Sequence, residues 1–129
     1  MEKLDERALA QVADYFRALA VPLRLRLLNA LREGPRNVGE LTVLAGCSQA
    51  NASKHLAVLA HSGFVERTAR GTCVYYRIAD PATYQLCDLV CGQIRRRHDG
   101  LARLHRQFAT ALPQPRGRRG TGNAQRGRL

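Results

Sequence analysis

Apolar residues recur at Leu9, Val12, Phe16 and Leu19, three or four positions apart, with mostly polar or small residues between them. That period is helical and predicts a first helix from Asp5 to Leu19. Pro22 stops this helix and starts a second, because a first-turn proline forfeits no hydrogen bond. Leu23, Leu27, Leu28 and Leu31 supply the buried face of the second helix, and Gly34-Pro35 ends it. Asn37 with Glu40 three residues on suits a capped start, so a short third helix is expected from about Val38 to Ala45. Gly46 and Cys47 make a turn. Ser48 then caps a fourth helix that ends near His61, ahead of Gly63.

The fourth helix divides its polarity along its length. Its first turns hold Ser48, Gln49, Asn51, Ser53, Lys54 and His55, and its later turns hold Leu56, Val58 and Leu59. Two helices joined by a glycine-containing turn form a helix-turn-helix. In such a unit the first turns of the second helix enter the DNA major groove, and the later turns lie on the core. Ala50 and Ala52 are expected to keep the groove-facing side slim.

Beyond the helix-turn-helix the period changes from helical to alternating. Phe64 to Ala69 and Thr72 to Ile78 carry β-branched and aromatic residues on either side of Arg70-Gly71, which predicts a β-hairpin. A hairpin after a helix-turn-helix is a wing. Arg67 and Arg70 at its tip, with Arg77 nearby, are suited to phosphate or minor-groove contact. Of Tyr75 and Tyr76, which alternate across the strand, one is expected in the core and the other free to face phosphate. Asp80-Pro81 starts a long last helix with Cys87, Val90, Cys91, Ile94, Leu101, Leu104 and Phe108 at a mainly helical period. Gly92 and Gly100 each weaken that helix by about 1 kcal/mol relative to alanine, so a bend or break near Gly100 is expected. A small domain has no spare core for two such stripes, and a homodimer seam made by the first and last helices is their natural use.

The expected fold is therefore mainly α with a small β-hairpin, a winged helix-turn-helix spanning residues 1–112. Residues 113–129, PQPRGRRGTGNAQRGRL, hold proline, glycine and arginine and almost nothing apolar, the composition of a disordered basic tail. The length of 129 residues suits one domain, and 45% hydrophobic content is enough for a core. No apolar run approaches a membrane span, and MEKLDERALA has acids and no apolar signal region, so a cytoplasmic protein without membrane contact is expected.

Charge narrows the partner. The net charge is +11, and the remainder without the five arginines of the tail still carries +6, eleven less five. A body that is basic in its own right points to nucleic acid. Gln and Asn can bond adenine through two atoms at once, and Ser or Lys can hold phosphate or a base edge. His55 is ambiguous, because it adjoins Leu56 and can serve packing instead. No Gly-rich phosphate loop, HExxH or nucleophile elbow occurs, so no enzyme activity is expected.

Several stretches now combine. "RALAVPLRLRLLNAL", "VGEL", "SQANASKHLAVLAHSGFVERTARG" and "VYYRIAD" follow in order over roughly Phe16 to Asp80. Together they resemble the ArsR/SmtB family of bacterial winged-helix repressors. The resemblance implies a homodimer on a palindromic double-stranded DNA operator. It also implies repression relieved by a metal ion, a metalloid or a thiol-reactive signal. Two family metal sites are missing. Thr42 and Leu44 stand where an ELCxC motif would have its cysteines. At a second site Asp80 remains, but Ala82 and Gln93 occupy the two histidine places, which argues against zinc sensing of that type.

The four cysteines, Cys47, Cys73, Cys87 and Cys91, are expected as reduced thiols. Cys87 and Cys91, four apart on one helical face, are the leading sensor candidates for a soft metal or metalloid ion or for redox chemistry. Interface packing is an equal alternative for them. Cys47 beside a helix N-terminus is the weaker candidate, and Cys73 in a strand is expected half-buried. An inducer-free architectural or constitutive regulator and an RNA-binding protein are the competing readings.

Overall fold

The computed structural model describes residues 2–111, with side chains through Phe108 and Ala109; the expected tail 113–129 lies outside the described residues. The order of elements is α1 (Glu6–Leu19), α2 (Pro22–Ala30), β1 (Arg36–Asn37), α3 (Val38–Ala45), α4 (Gln49–His61), β2 (Val65–Arg70), β3 (Cys73–Ile78) and α5 (Ala82–Ala111).

Polar side chains satisfy backbone donors at the starts of α1, α3 and α4, whereas α2 follows Val21 and has no side-chain cap. Asp5 accepts from the Ala8 amide at 2.8 Å. Pro22 occupies the first turn of α2, as expected. Asn37 accepts from the Glu40 amide at 2.8 Å, and the Glu40 carboxylate accepts in return from the Asn37 amide at 3.1 Å. This reciprocal pair is the capping box that the spacing predicts. α3 ends at Gly46, whose φ of 66° and ψ of 48° are left-handed. Its amide reaches Val43 and the Cys47 amide reaches the Thr42 carbonyl, a Schellman turn that needs a residue free of a Cβ penalty. Gly71, at φ 61°, does the same between the strands of the wing. α2 stops earlier than Gly34-Pro35 suggests: Leu31 is its C-cap, and a turn carries the chain to Gly34.

The chain divides into two compact units, the residues up to Leu86 and those from Cys87 onward. The core of the first unit gathers Leu27, Leu28 and Leu31 from α2, Leu41 and Ala45 from α3, Ala52, Leu56 and Leu59 from α4, and Phe64, Val65 and Tyr76 from the wing. Full burial of each leucine contributes about 1.5–3 kcal/mol, which explains why polar faces turn outward around this cluster. Tyr15 of α1 packs its ring on Phe64 with centroids 4.5 Å apart.

The wing carries one strand more than the expected hairpin. β1 pairs antiparallel with β3, setting Arg36 opposite Tyr76 and Asn37 opposite Tyr75, so the sheet order is β1-β3-β2. Tyr76 is buried and Tyr75 half-buried, in keeping with the expected alternation. The first turn of α5 belongs to the first unit: Thr83 is buried, and the Tyr84 hydroxyl donates to the Leu28 carbonyl at 2.7 Å.

The second unit is the body of α5. The helix runs through Gly92 and Gly100 to Ala111 without the expected break. Two glycine penalties of about 1 kcal/mol do not outweigh the intrahelical bonds of so long a segment. Its residues Leu89, Val90, Ile94, Leu101, Leu104 and Phe108 are exposed, and in the first unit Leu9, Val12 and Phe16 of α1 are exposed as well. No helix among the described residues is long and apolar enough to cross a membrane.

Candidate nucleic-acid interface

α4 presents its polar tip because its other face is fully committed. Ala52, Leu56 and Leu59 are each 0% exposed, whereas Ser48, Gln49, Ala50, Asn51, Ser53 and Lys54 are all exposed. Ser48 caps the helix by accepting from the Asn51 amide at 3.1 Å. Val58, expected in the core, is half-buried. Ala52 is a correction: it does not slim the outer face but fills the core, and of the two alanines only Ala50 lies outside. No acidic residue occurs between Glu40 and Glu66, so this whole stretch meets a phosphate backbone without like-charge repulsion.

His55 is placed differently from its neighbours. It is half-buried, and its Nδ1 accepts from Arg24 Nε of α2 at 3.1 Å. Its pKa is lowered from the ordinary 6.5, first by burial and then by the positive charges of Arg24 and Lys54. Of its two expected roles, packing and DNA contact, the hydrogen bond supports the first: it turns toward α2. Sequence pattern had one signal for this, the adjacency of Leu56, but Arg24 is far away in the chain.

The three wing arginines are separated by their partners. Arg77 is ion-paired with Glu66 across the strands. The guanidinium of Arg70 lies over the Tyr75 ring, 5.1 Å from its centroid. Arg67 is exposed and has no ion pair among the described residues. Arg67 and Arg70 thus remain available to an anion, Arg70 from a stacked and pre-oriented position.

The thiols are spread along the chain. Cys47 is half-buried and packs against the core just after the Schellman turn. Cys73 is exposed, where half-burial was expected. Cys87 is half-buried and Cys91 exposed, one turn apart on α5. Among the described residues no group of three or more His, Cys, Asp or Glu side chains is poised to hold a metal ion. Two thiols on one chain fall short of the three or four donors that a soft-metal site takes.

A polar-tipped second helix, a buried tail and a basic wing form a DNA-binding architecture, and comparison with known proteins agrees. Residues 21–67 match the model of the bacterial regulatory protein arsR family. The HTH-type transcriptional regulator NmtR of Mycobacterium tuberculosis is 37% identical over 102 residues, covering 79% of this chain and 85% of NmtR. The chain belongs to the arsR family. A second relative, the probable mercury resistance operon repressor of Streptomyces lividans, is 40% identical over 78 residues, 60% of each chain. Among solved structures, the homodimeric winged helix-turn-helix DNA-binding domain Mb0332 of Mycobacterium bovis is similar with a TM-score of 0.65 and 33% identity, covering 78% of this chain and 95% of that one. As a member of the arsR family the protein is a DNA-binding transcriptional repressor with a winged helix-turn-helix, and the RNA-binding and architectural alternatives are not favoured.

Proposed function

We propose that the protein acts as a homodimer on an inverted-repeat operator, reading bases with Gln49, Asn51 and Ser53 and holding phosphate with Ser48, Lys54, Arg67 and Arg70. The observation that carries this is the division of α4, whose Gln49, Asn51, Ser53 and Lys54 are exposed while Ala52, Leu56 and Leu59 are sealed into the core. The second copy covers the exposed apolar residues of α1 and of α5, as the homodimeric relative supports. Two recognition helices then meet half-sites about one DNA turn apart.

Release from the operator by a metal ion is the accompanying reading, supported by the printed name of the mercury relative. A soft ion would take Cys87 and Cys91, with further donors from the partner chain, since one chain brings only two thiols together. Such an ion would be held by these thiolates, and its coupling to DNA would be worth typically 1–3 kcal/mol, enough for about a tenfold change in affinity. Residues 1–112 would form the DNA-binding and dimerising part, and the arginines of 113–129 would add attraction to any phosphate backbone.

The test is a gel-shift titration against an inverted repeat taken from selection on a random DNA pool, with random duplex and RNA as competitors. Gln49→Ala and Ser53→Ala are expected to cost roughly 1–3 kcal/mol on the operator while sparing random DNA. Equal loss on both would sink the base-reading role. Hg²⁺, Cd²⁺, Zn²⁺ and arsenite are then added in parallel. The Cys87→Ser, Cys91→Ser double variant is expected to bind operator and ignore the effective ion. A double variant that still responds removes this pair from sensing and leaves Cys47 as the next thiol to replace.

A further inference from the structure

Besides its apolar face, α4 has among the described residues a polar side-chain link that reaches two other helices. Arg24 of α2 forks: Nε donates to His55 Nδ1 at 3.1 Å, and Nη1 donates to the Ala18 carbonyl at 3.2 Å. Ala18 lies in the last turn of α1 and is buried; carbonyls there have no partner inside their own helix. Arg24 and His55 are both half-buried. The fork therefore joins the end of α1, the start of α2 and the middle of α4. On α4 it engages between the exposed Ser53 and Lys54 and the buried Leu56.

The chemistry of this link depends on one proton. A guanidinium only donates, so His55 must offer an unprotonated Nδ1, which places the proton of the neutral ring on Nε2. Protonating Nδ1 replaces the acceptor with a donor and sets two positive groups against each other at hydrogen-bond distance. We propose that Arg24 is a positioning residue for DNA reading: through neutral His55 it holds the recognition helix against α1 and α2 in its DNA-competent setting, and acid releases it. This rests on the reading of α4 as the recognition helix.

The surroundings offer the imidazolium no relief. Arg24 on α2 and Lys54 on α4 oppose its charge, and burial opposes it more. Arg26, the other cation of α2 in this region, is exposed. On α3 the only charge is Glu40, which is engaged with the Asn37 amide and Arg36. On β2, Glu66 is paired with Arg77, and Arg67 and Arg70 are cations. On α1, Arg17 is paired with Asp14. None of these acids acts on His55. The ring is thus neutral at pH 7 and above, where the link is intact, and charges only as the pH falls below the ordinary histidine value.

Simple electrostatics has the opposite sign. An extra positive charge beside DNA strengthens binding to any duplex. The experiment measures affinity of the full chain for the selected operator and for random duplex of equal length, from about pH 7.5 to about pH 5.5 at constant salt. The wild type is expected to lose about tenfold in operator affinity relative to random DNA as the pH falls. His55→Asn places an amide oxygen near the Nδ1 position and cannot titrate in this range, so its profile is expected to be flat. Arg24→Gln is expected to bind operator about tenfold more weakly at pH 7.5, again with a flat profile. Circular dichroism melts accompany each variant, and if Arg24→Gln does not fold, the His55→Asn profile decides alone. A wild-type profile that is flat or rises with acid overturns the proposal. So does a His55→Asn profile that keeps the wild-type slope. Gln49→Ala is run beside them: if it loses no operator affinity, the reading of α4 fails, and that failure is distinct from an unaltered slope in His55→Asn.

Discussion

Ala50 and Ala52 are chemically the same, two residues apart on one helix, and the fold gives them opposite surroundings. Ala52 is 0% exposed and packed in the cluster with Leu56, Leu59 and Leu41, while Ala50 is exposed beside Gln49 and Asn51. Replacing Ala52 by leucine adds carbons where no space is left. Overpacking of a filled core typically costs 1–3 kcal/mol, because side chains leave their rotamers or the backbone moves. In a unit this small each kcal/mol lowers the melting temperature by about 4–8 °C, so a fall of about 5–20 °C is expected. Relief by lifting α4 from the core would also displace the polar tip, so operator binding should weaken in parallel. Ala50→Leu is the crossed control. An exposed substitution typically changes stability by less than about 0.5 kcal/mol, so its melt should match the wild type. Its bulk stands where the helix is proposed to approach the bases, so operator affinity should fall about fivefold or more, by roughly the 1–3 kcal/mol of a lost base contact. Thermal melts followed by circular dichroism, and gel shifts on the same preparations, read both effects. The reasoning is refuted if Ala52→Leu melts like the wild type, or if Ala50→Leu destabilises the fold and leaves DNA binding intact.

Other perturbations test other parts. Ile94→Glu puts a charge on the exposed stripe of α5 that a second copy is proposed to cover, and an unpaired buried charge is costly, so sedimentation at micromolar concentration should show monomer and weaker operator binding; a variant that stays dimeric moves the seam elsewhere. Removing 113–129 takes away five arginines and no acid, so affinity for operator and random DNA should fall alike and the dependence on salt should flatten; an unchanged salt slope would show that the tail touches no phosphate. Folding stability should also depend on His55. Its pKa is lowered in the fold, so the unfolded chain binds the proton more readily; the contribution is complete above about 6.5 and is lost as the pH falls toward the folded-state value. Urea titrations of wild type and His55→Asn below neutral pH should diverge in that window.

What the sequence determined by itself was whatever short-range chemistry controls. Asn37 and Glu40 build a capping box from residues three apart, and Ser48 caps α4 through the Asn51 amide, so both helix starts were legible from spacing alone. Gly46 and Gly71 lie where a left-handed residue is needed, and the turns fall there. The motifs of the family carried the winged fold and the exposed polar tip in the same way. Tertiary structure decided what depends on partners far along the chain. β1 is two residues long and exists only because Arg36 and Asn37 meet Tyr76 and Tyr75; nothing in an Arg-Asn pair signals a strand. Ala52 goes inward and Ala50 outward because leucines of α2 and α3 close over one side of α4, a choice that periodicity leaves open for small residues. His55 turns toward α2 because Arg24, 31 positions away, offers its polar ring a donor at the edge of the core. A half-buried polar group settles on the partner that satisfies it, and only the assembled fold brings that partner within reach.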